Sequence, residues 1–267
     1  MKYYEPEYLA PSPNWVAQVG RNILLGVRNT GRALLITLEA LFWHIQIFRR
    51  RHDVVHQLVA CGVRSFGVTS IVALFTGMVL SLQAGLILRD YGQAVQVGTL
   101  VTQTMCREMG PFMTALILAA SVGSAMAAEL GTMSVSEEIE ALHVMSINPA
   151  RFLVMPRLFA FMVMCPILTI YTDLIGSAGG MLVAATQLGV SPRAYYDNAL
   201  AYLDNKEIYV GLLKAWAFSL VVVTVACYQG LSASNGAVGV GKATRATVVN
   251  SFLLILIIGY VITRLFY

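Results

Sequence analysis

The sequence predicts an all-α integral membrane protein, and three observations carry that prediction. Of its 267 residues, 57% are hydrophobic and only 12% are charged, about half the charged share of a soluble domain. Mean hydropathy is +0.70. Four apolar runs, and a fifth that is longer and broken by glycines, each reach the roughly 20 residues a bilayer-crossing helix requires. A water-soluble core of this size could not hide so much apolar surface, so the bilayer must be the solvent. The net charge of +4 is small. No basic stripe is interleaved with aromatics, which argues against nucleic acid as a partner.

Residues 1–21 read as an N-terminal tail. "MKYYEPEYLAPSPNWVAQVG" lacks a continuous apolar stretch, so no cleavable signal is expected. Residues 22–52 read differently. "NILLGVRNTGRALLITLEALFWHIQIF" mixes Arg28, Arg32, Glu39 and His44 with Leu, Phe and Trp at helical spacing, and Arg49, Arg50 and Arg51 follow. That pattern predicts an amphipathic helix lying in the membrane interface with a basic anchor behind it. The alternative is a sixth, poor span, which mid-helix charges make costly. Residues 53–267 hold five expected spans, near 63–88, 110–131, 157–186, 208–230 and 247–266.

Lys and Arg in the flanks set orientation. With the N-terminus in the cytoplasm, twelve of the eighteen fall on the cytoplasmic side. Arg89, Arg107, Arg193, Lys206, Lys214 and Arg264 fall on the other. Five spans then put the C-terminus outside. "SPRAYYDNALAYLDNKE" becomes a short outer surface helix.

Between spans two and three lies "ELGTMSVSEEIEALHVMSINPARFLVMPR", residues 129–157. Ser134 and Glu137 match the S-x-x-E capping box. Glu137, Glu138 and Glu140 crowd the first turns, where the helix dipole favours negative charge. Ile139, Leu142 and Met145 recur on one stripe, and Asn148-Pro149 is expected to stop the helix. The result is a short amphipathic cytoplasmic helix at about 136–147. Surface-lying membrane helices are usually basic, so acid plus an apolar stripe suits a protein partner's groove better.

Catalytic signatures are absent: there is no H-E-x-x-H and no G-x-S-x-G. "GAVGVGKA", residues 236–243, has the G-x-x-x-x-G-K part of a phosphate loop, but Ala243 stands where Ser or Thr must hold magnesium. It reads as a flexible cytoplasmic turn, and any ATP used would be bound by another chain. Cys61, Cys106, Cys165 and Cys227 have no metal or redox spacing and read as packing residues. Arg107 and Glu108 open span two as an interfacial pair or a functional one. Asp173, in the middle of span three, reads as a carboxyl satisfied by Tyr171, Thr172 or water or by facing a cavity, or as a proton relay. Gly123 with Ala127, and Gly176 with Gly180, permit close helix approach within one subunit or across a dimer seam.

Residues 107–157, "REMGPFMTALILAASVGSAMAAELGTMSVSEEIEALHVMSINPARFLVMPR", closely resemble the signature region of MlaE/YrbE-type permeases. These are the membrane subunits of ABC transporters that work with MCE-domain proteins. "GAVGVGKATRATVVNS", residues 236–251, resembles a second block, departing from it at Arg245 and Ala246. The resemblance spans roughly residues 20–265. It implies that the 136–147 helix is a coupling helix docking through Glu137, Glu138, Ile139, Glu140, Leu142 and Met145 into a separate ATPase, which carries the ATP and magnesium. It also implies a homodimer with a phospholipid cavity facing a periplasmic MCE ring, lined by Leu80, Ile87, Leu88, Tyr91, Arg107, Glu108 and Met109. The expected location is a bacterial inner membrane. The rivals are an ion-coupled secondary transporter using Asp173, and a scaffold that only anchors a peripheral protein; a membrane enzyme ranks last.

Overall fold

In a computed structural model, residues 15–43 and 51–267 are described, and their regular structure is entirely helical. The first 14 residues of the expected tail and the anchor residues Arg49 and Arg50 lie outside the described residues. Eleven α-helices run in order: α1 Trp15–Phe42, α2 Arg51–Cys61, α3 Phe66–Asp90, α4 Val97–Thr104, α5 Gly110–Leu118, α6 Ser124–Val135, α7 Glu138–Val144, α8 Met155–Gln187, α9 Pro192–Ala201, α10 Asn205–Leu231 and α11 Gly236–Phe266. Helices α4, α5 and α6 form one rod, Ala94–Val135, because π-helical turns at Met105–Met109 and Ala119–Gly123 join them. A third π turn, Ala150–Val154, leads into α8.

Five of these rods are long and apolar enough to cross a membrane: Phe66–Asp90, Ala94–Val135, Ala150–Gln187, Asn205–Leu231 and Gly236–Phe266. The five-span reading therefore holds, but spans two and three run longer than expected. Arg107 and Glu108 do not open span two; they lie well inside its rod. The amphipathic helix begins at Trp15, inside the expected tail, and ends at Phe42. Val19, Ile23, Val27, Leu34, Leu38 and Phe42 are exposed along it, while Thr37 and Ala40 are buried. Its second half packs on α10 and on the π turn before α8, with Thr37 Oγ1 2.8 Å from Thr224 Oγ1. Helix α2, not foreseen, packs on α8. Its Cys61 is buried, which pushes the thiol up to about 12 and keeps it protonated at neutral pH. All four cysteines are free and buried, as packing residues should be.

Lipid tails are as apolar as leucine, so spans associate through close packing and hydroxyl hydrogen bonds. The α3–α8 seam shows both. A Cβ on Gly77 would lie 1.8 Å from the Gly176 carbonyl oxygen, so the two backbones touch. Ser81 Oγ donates to Gly180 O at 2.8 Å. Thr114 and Thr172 share a hydrogen bond at 2.8 Å across α5 and α8, and Thr102 bonds Ser177 at 2.9 Å. The Gly176 and Gly180 pair thus serves packing within this chain. Two clusters result. The larger joins α5, α6, α8 and α10 around Leu158, Phe161, Phe218 and Val222. The smaller joins α4, α8 and α9 around Val97, Val101, Met105 and Tyr195.

The α3–α8 contact leaves no room for a side chain at position 77. Gly77→Leu is expected to destabilise the fold by about 3 kcal/mol, read as a lower thermal midpoint and loss of monodispersity in detergent. Gly67→Ala, where no atom lies within 4 Å of the added carbon, should leave both unchanged.

Candidate functional site

Pro111 organises the middle of span two. It has no N–H, so the Arg107 carbonyl four residues earlier lacks its usual donor. The ladder opens into a π turn, with the Gly110 N–H reaching back to Met105 O. Single π turns inside α-helices often mark functional sites. The orphaned carbonyl is filled from another helix: Lys214 Nζ on α10 donates to Arg107 O at 2.9 Å. The same ammonium lies 2.7 Å from Glu108 Oε2, and Lys214 is 1% exposed. Thr263 Oγ1 on α11 donates to Glu108 Oε1 at 2.9 Å, and Arg107 Nε lies 3.6 Å from that oxygen. Beyond them, Arg107 and Lys206 both stack on the Tyr267 ring, at 4.0 and 4.6 Å from its centre. Spans two, four and five are thus locked by one polar cluster at the end of the bundle opposite α7.

Of the expected lipid-lining residues, the structure gathers Leu80, Leu88 and Met109, half-buried, against the smaller core cluster. Ile87 and Tyr91 stand 61% and 77% exposed on α3. Arg107 and Glu108 are held instead in the network with α10 and α11. Lys214, counted as an outer flank charge, is instead buried within span four. It was missed as a site residue, along with Thr263 and Tyr267. The signal was available: a lone cation in "GLLKAWAFSL" needs a partner, and Pro111 leaves a carbonyl that needs a donor.

Asp173 is half-buried in α8. Its Oδ1 lies so close to Gly110 that an added Cβ there would overlap it, and it has no hydrogen-bond partner among the described residues. The expected satisfaction by Tyr171 or Thr172 does not occur: Tyr171 bonds Ser70, and Thr172 bonds Thr114 and Leu168 O.

The opposite end carries α7. The capping box does not form there. Ser134 lies inside α6, where its hydroxyl contacts Leu231 O and Ala233 O at 3.3 and 3.1 Å. Glu137 takes the N-cap with φ of 60° and no side-chain cap, and Ser146 beyond the helix has φ of 58°. Such left-handed backbone costs a non-glycine residue of order 1 kcal/mol, so both hinges of α7 are held by their surroundings. Asn148 caps the following helix instead of simply ending this one: its Oδ1 accepts from Ala150 N at 2.9 Å, and its Nδ2 donates to Glu39 on α1. Arg151 stacks on Trp43, just beyond α1, at 4.8 Å.

The apolar stripe of α7 also divides. Leu142 is buried and Ile139 half-buried in the chain's own core, so these two anchor the helix to its own subunit. Glu137, Glu138 and Glu140 are exposed. Met145, 60% exposed, and Val144, 85% exposed, form the apolar part that faces outward. A cavity of about 770 Å³ lies between α1 and this segment, bordered by Arg32, Ile36, Glu39, Glu140, His143 and Tyr228. "GAVGVGKA" is not a flexible turn: Asn235 and Gly236 make the positive-φ corner, and Gly236 to Ala243 are the first two turns of α11. Among the described residues, no group of three or more His, Cys, Asp or Glu is placed to hold a metal.

Lys214→Met is expected to strand the Arg107 carbonyl and cost about 1–3 kcal/mol, seen as a lower thermal midpoint. Adding Pro111→Ala supplies the missing N–H and should recover part of that loss. An unchanged midpoint in Lys214→Met would show that the ammonium does not bind there.

Comparison with known proteins agrees with this architecture. The family model for permease MlaE matches residues 54–265. A probable ABC transporter permease protein of Rickettsia felis is 37% identical over 254 residues, covering 95% of this chain and 98% of the relative. The intermembrane phospholipid transport system permease protein MlaE of Haemophilus influenzae is 31% identical over 257 residues, covering 95% and 98%. A probable ABC transporter permease protein of Synechocystis is 32% identical over 227 residues, covering 85% and 86%. With its family model matched across all five spans, the chain belongs to the MlaE permease family.

Proposed function

We propose that this chain is the membrane subunit of an ATP-driven transporter that moves phospholipid between a bacterial inner membrane and an MCE-domain periplasmic carrier. The observation that carries the ATP-driven part is the division of α7: Leu142 is buried in the chain's own core while Glu137, Glu138, Glu140, Val144 and Met145 face outward. A helix fixed to two spans by its apolar side, and presenting acid and two apolar side chains, is built to dock into a basic-rimmed groove. ATP and magnesium belong on that partner. The N-terminus then lies in the cytoplasm with α7, and the C-terminus lies in the periplasm with the Lys214 cluster.

The name of the Haemophilus relative supports phospholipid as cargo. The geometry is compatible with it. Spans one and five bury little of their surface within the chain, 22% and 17% of their most apolar windows. That leaves broad apolar faces for lipid or for a second copy. Two copies meeting along α3 would enclose Leu80, Ile87, Leu88 and Met109 as a wall for acyl tails. Tyr91, Arg107 and Glu108 would stand at the mouth, at headgroup height. Transport then needs only two conformations that bind lipid with different affinity.

Reversing the acids tests the dock. The Glu138→Lys/Glu140→Lys variant is expected to lower recovery of the ATPase with affinity-purified permease at least tenfold, with the permease itself remaining folded. Unchanged recovery would refute the assignment of α7.

A further inference from the structure

The base of α7 is closed by a second buried cation. Pro156, like Pro111, has no N–H, and the ladder before it opens into the π turn Ala150–Val154, with Met155 N reaching Ala150 O. Arg157, 4% exposed, sits one residue further on. Its Nη1 donates to Leu153 O, inside that turn, at 2.7 Å. Its Nη2 reaches across to Glu129 Oε1 on α6 at 2.9 Å. The guanidinium fork therefore joins the end of span two to the start of span three. These are the two strands of chain between which α7 hangs. By helix rise, the bridge lies about 9 Å before the end of α6 and about 10 Å after Ala150, where the next rod begins.

The pair adds little stability. Burying the Arg157 guanidinium costs free energy, its Nε has no partner among the described residues, and the Glu129 side chain, 58% exposed, is screened by solvent. Two apolar side chains would hold the spans together as well. What an ion pair adds is direction: the planar fork fixes the angle between two helices as well as their distance. The other ties at this end reach outward, Ser134 to the end of α10 and Asn148 to α1. Among these ties, Arg157–Glu129 is the one that crosses between α6 and α8 directly.

We infer that Arg157 and Glu129 are positioning residues that make α6 and α8 move as one body with α7, so that a push on α7 reaches both spans and is not absorbed by splaying them. This rests on the reading of α7 as the ATPase dock. Without the bridge, the ATPase still docks, because its contacts are the exposed acids and Met145, and it still hydrolyses ATP. The stroke then spreads the base of the hairpin, and little of it arrives at the lipid-facing end.

The test has two readouts on the permease–ATPase complex in lipid nanodiscs and proteoliposomes. First, spin labels at Thr132→Cys and Phe152→Cys report the α6–α8 separation; the native cysteines are all buried. Glu129→Gln is expected to broaden that distance distribution, and the swapped pair Glu129→Arg/Arg157→Glu to narrow it again. Second, Glu129→Gln is expected to retain ATPase recovery and ATP hydrolysis within about twofold of wild type while phospholipid moved per ATP falls at least tenfold; the swap should restore a substantial part. Unchanged distances, or unchanged lipid per ATP in Glu129→Gln, would overturn the bridge. Should Arg157→Gln fail to assemble, Arg157→Lys keeps the charge and removes the fork, and full coupling in that variant would also overturn it. A wild-type permease that recovers no ATPase would instead refute the docking reading, while the label distances would still decide whether the bridge holds the spans.

Discussion

A backbone carbonyl without a donor has nowhere to turn inside a bilayer, and Pro111 creates that problem within span two. Water would satisfy such a group at a soluble protein's surface. Within hydrocarbon an unsatisfied polar group costs several kcal/mol, roughly the margin that holds a fold together. Pro111 opens a π turn, and a buried cation fills the gap, Lys214 at Arg107 O; at the other end Arg157 donates to Leu153 O, inside the π turn that precedes Pro156. Both cations also pair with a carboxylate on span two, Glu108 and Glu129. The span that carries both carboxylates therefore becomes the element to which the others are tied, at one end to α10 and α11, at the other to α8.

The two ends use the same device for different work. At the end opposite α7, the cluster leaves Arg107 and Glu108 about one-third exposed, with aromatic Tyr267 over the guanidinium. Charge is offered there, tied to α10 and α11. At the α7 end, Arg157 is sealed and the exposed charge is carried by Glu137, Glu138 and Glu140. Under the proposed function, one end would meet an amphiphile and the other a protein. Helix α8 runs between them, packed on α3 through a seam so tight that a single carbon at Gly77 would overlap the facing backbone.

Much of this was legible in the sequence because hydropathy and periodicity are local. The five spans, the amphipathic α1 and the acidic α7 follow from residue spacing alone. The boundaries of spans two and three were not legible, because apolar runs end where polar residues begin, while the helices continue through Arg107, Glu108 and Arg151 once other spans supply partners. The capping box at Ser134 failed for the same reason: the hydroxyl found Leu231 O and Ala233 O, on a loop 97 and 99 residues away. The stripe on α7 had the right period. Periodicity does not say which subunit it faces, and Leu142 turned inward. Lys214 could be read only by asking which group would satisfy the Arg107 carbonyl.

We propose that this chain moves phospholipid as half of a two-copy permease driven by a separate ATPase. Native mass spectrometry of the complex, released from nanodiscs after purification through this chain, tests it most directly. Two copies of this chain, two ATPase subunits and bound phospholipid are expected, with the lipid lost on addition of ATP and an acceptor carrier. A chain recovered alone and free of lipid, with transport proceeding in the absence of nucleotide, would contradict it and return attention to Asp173.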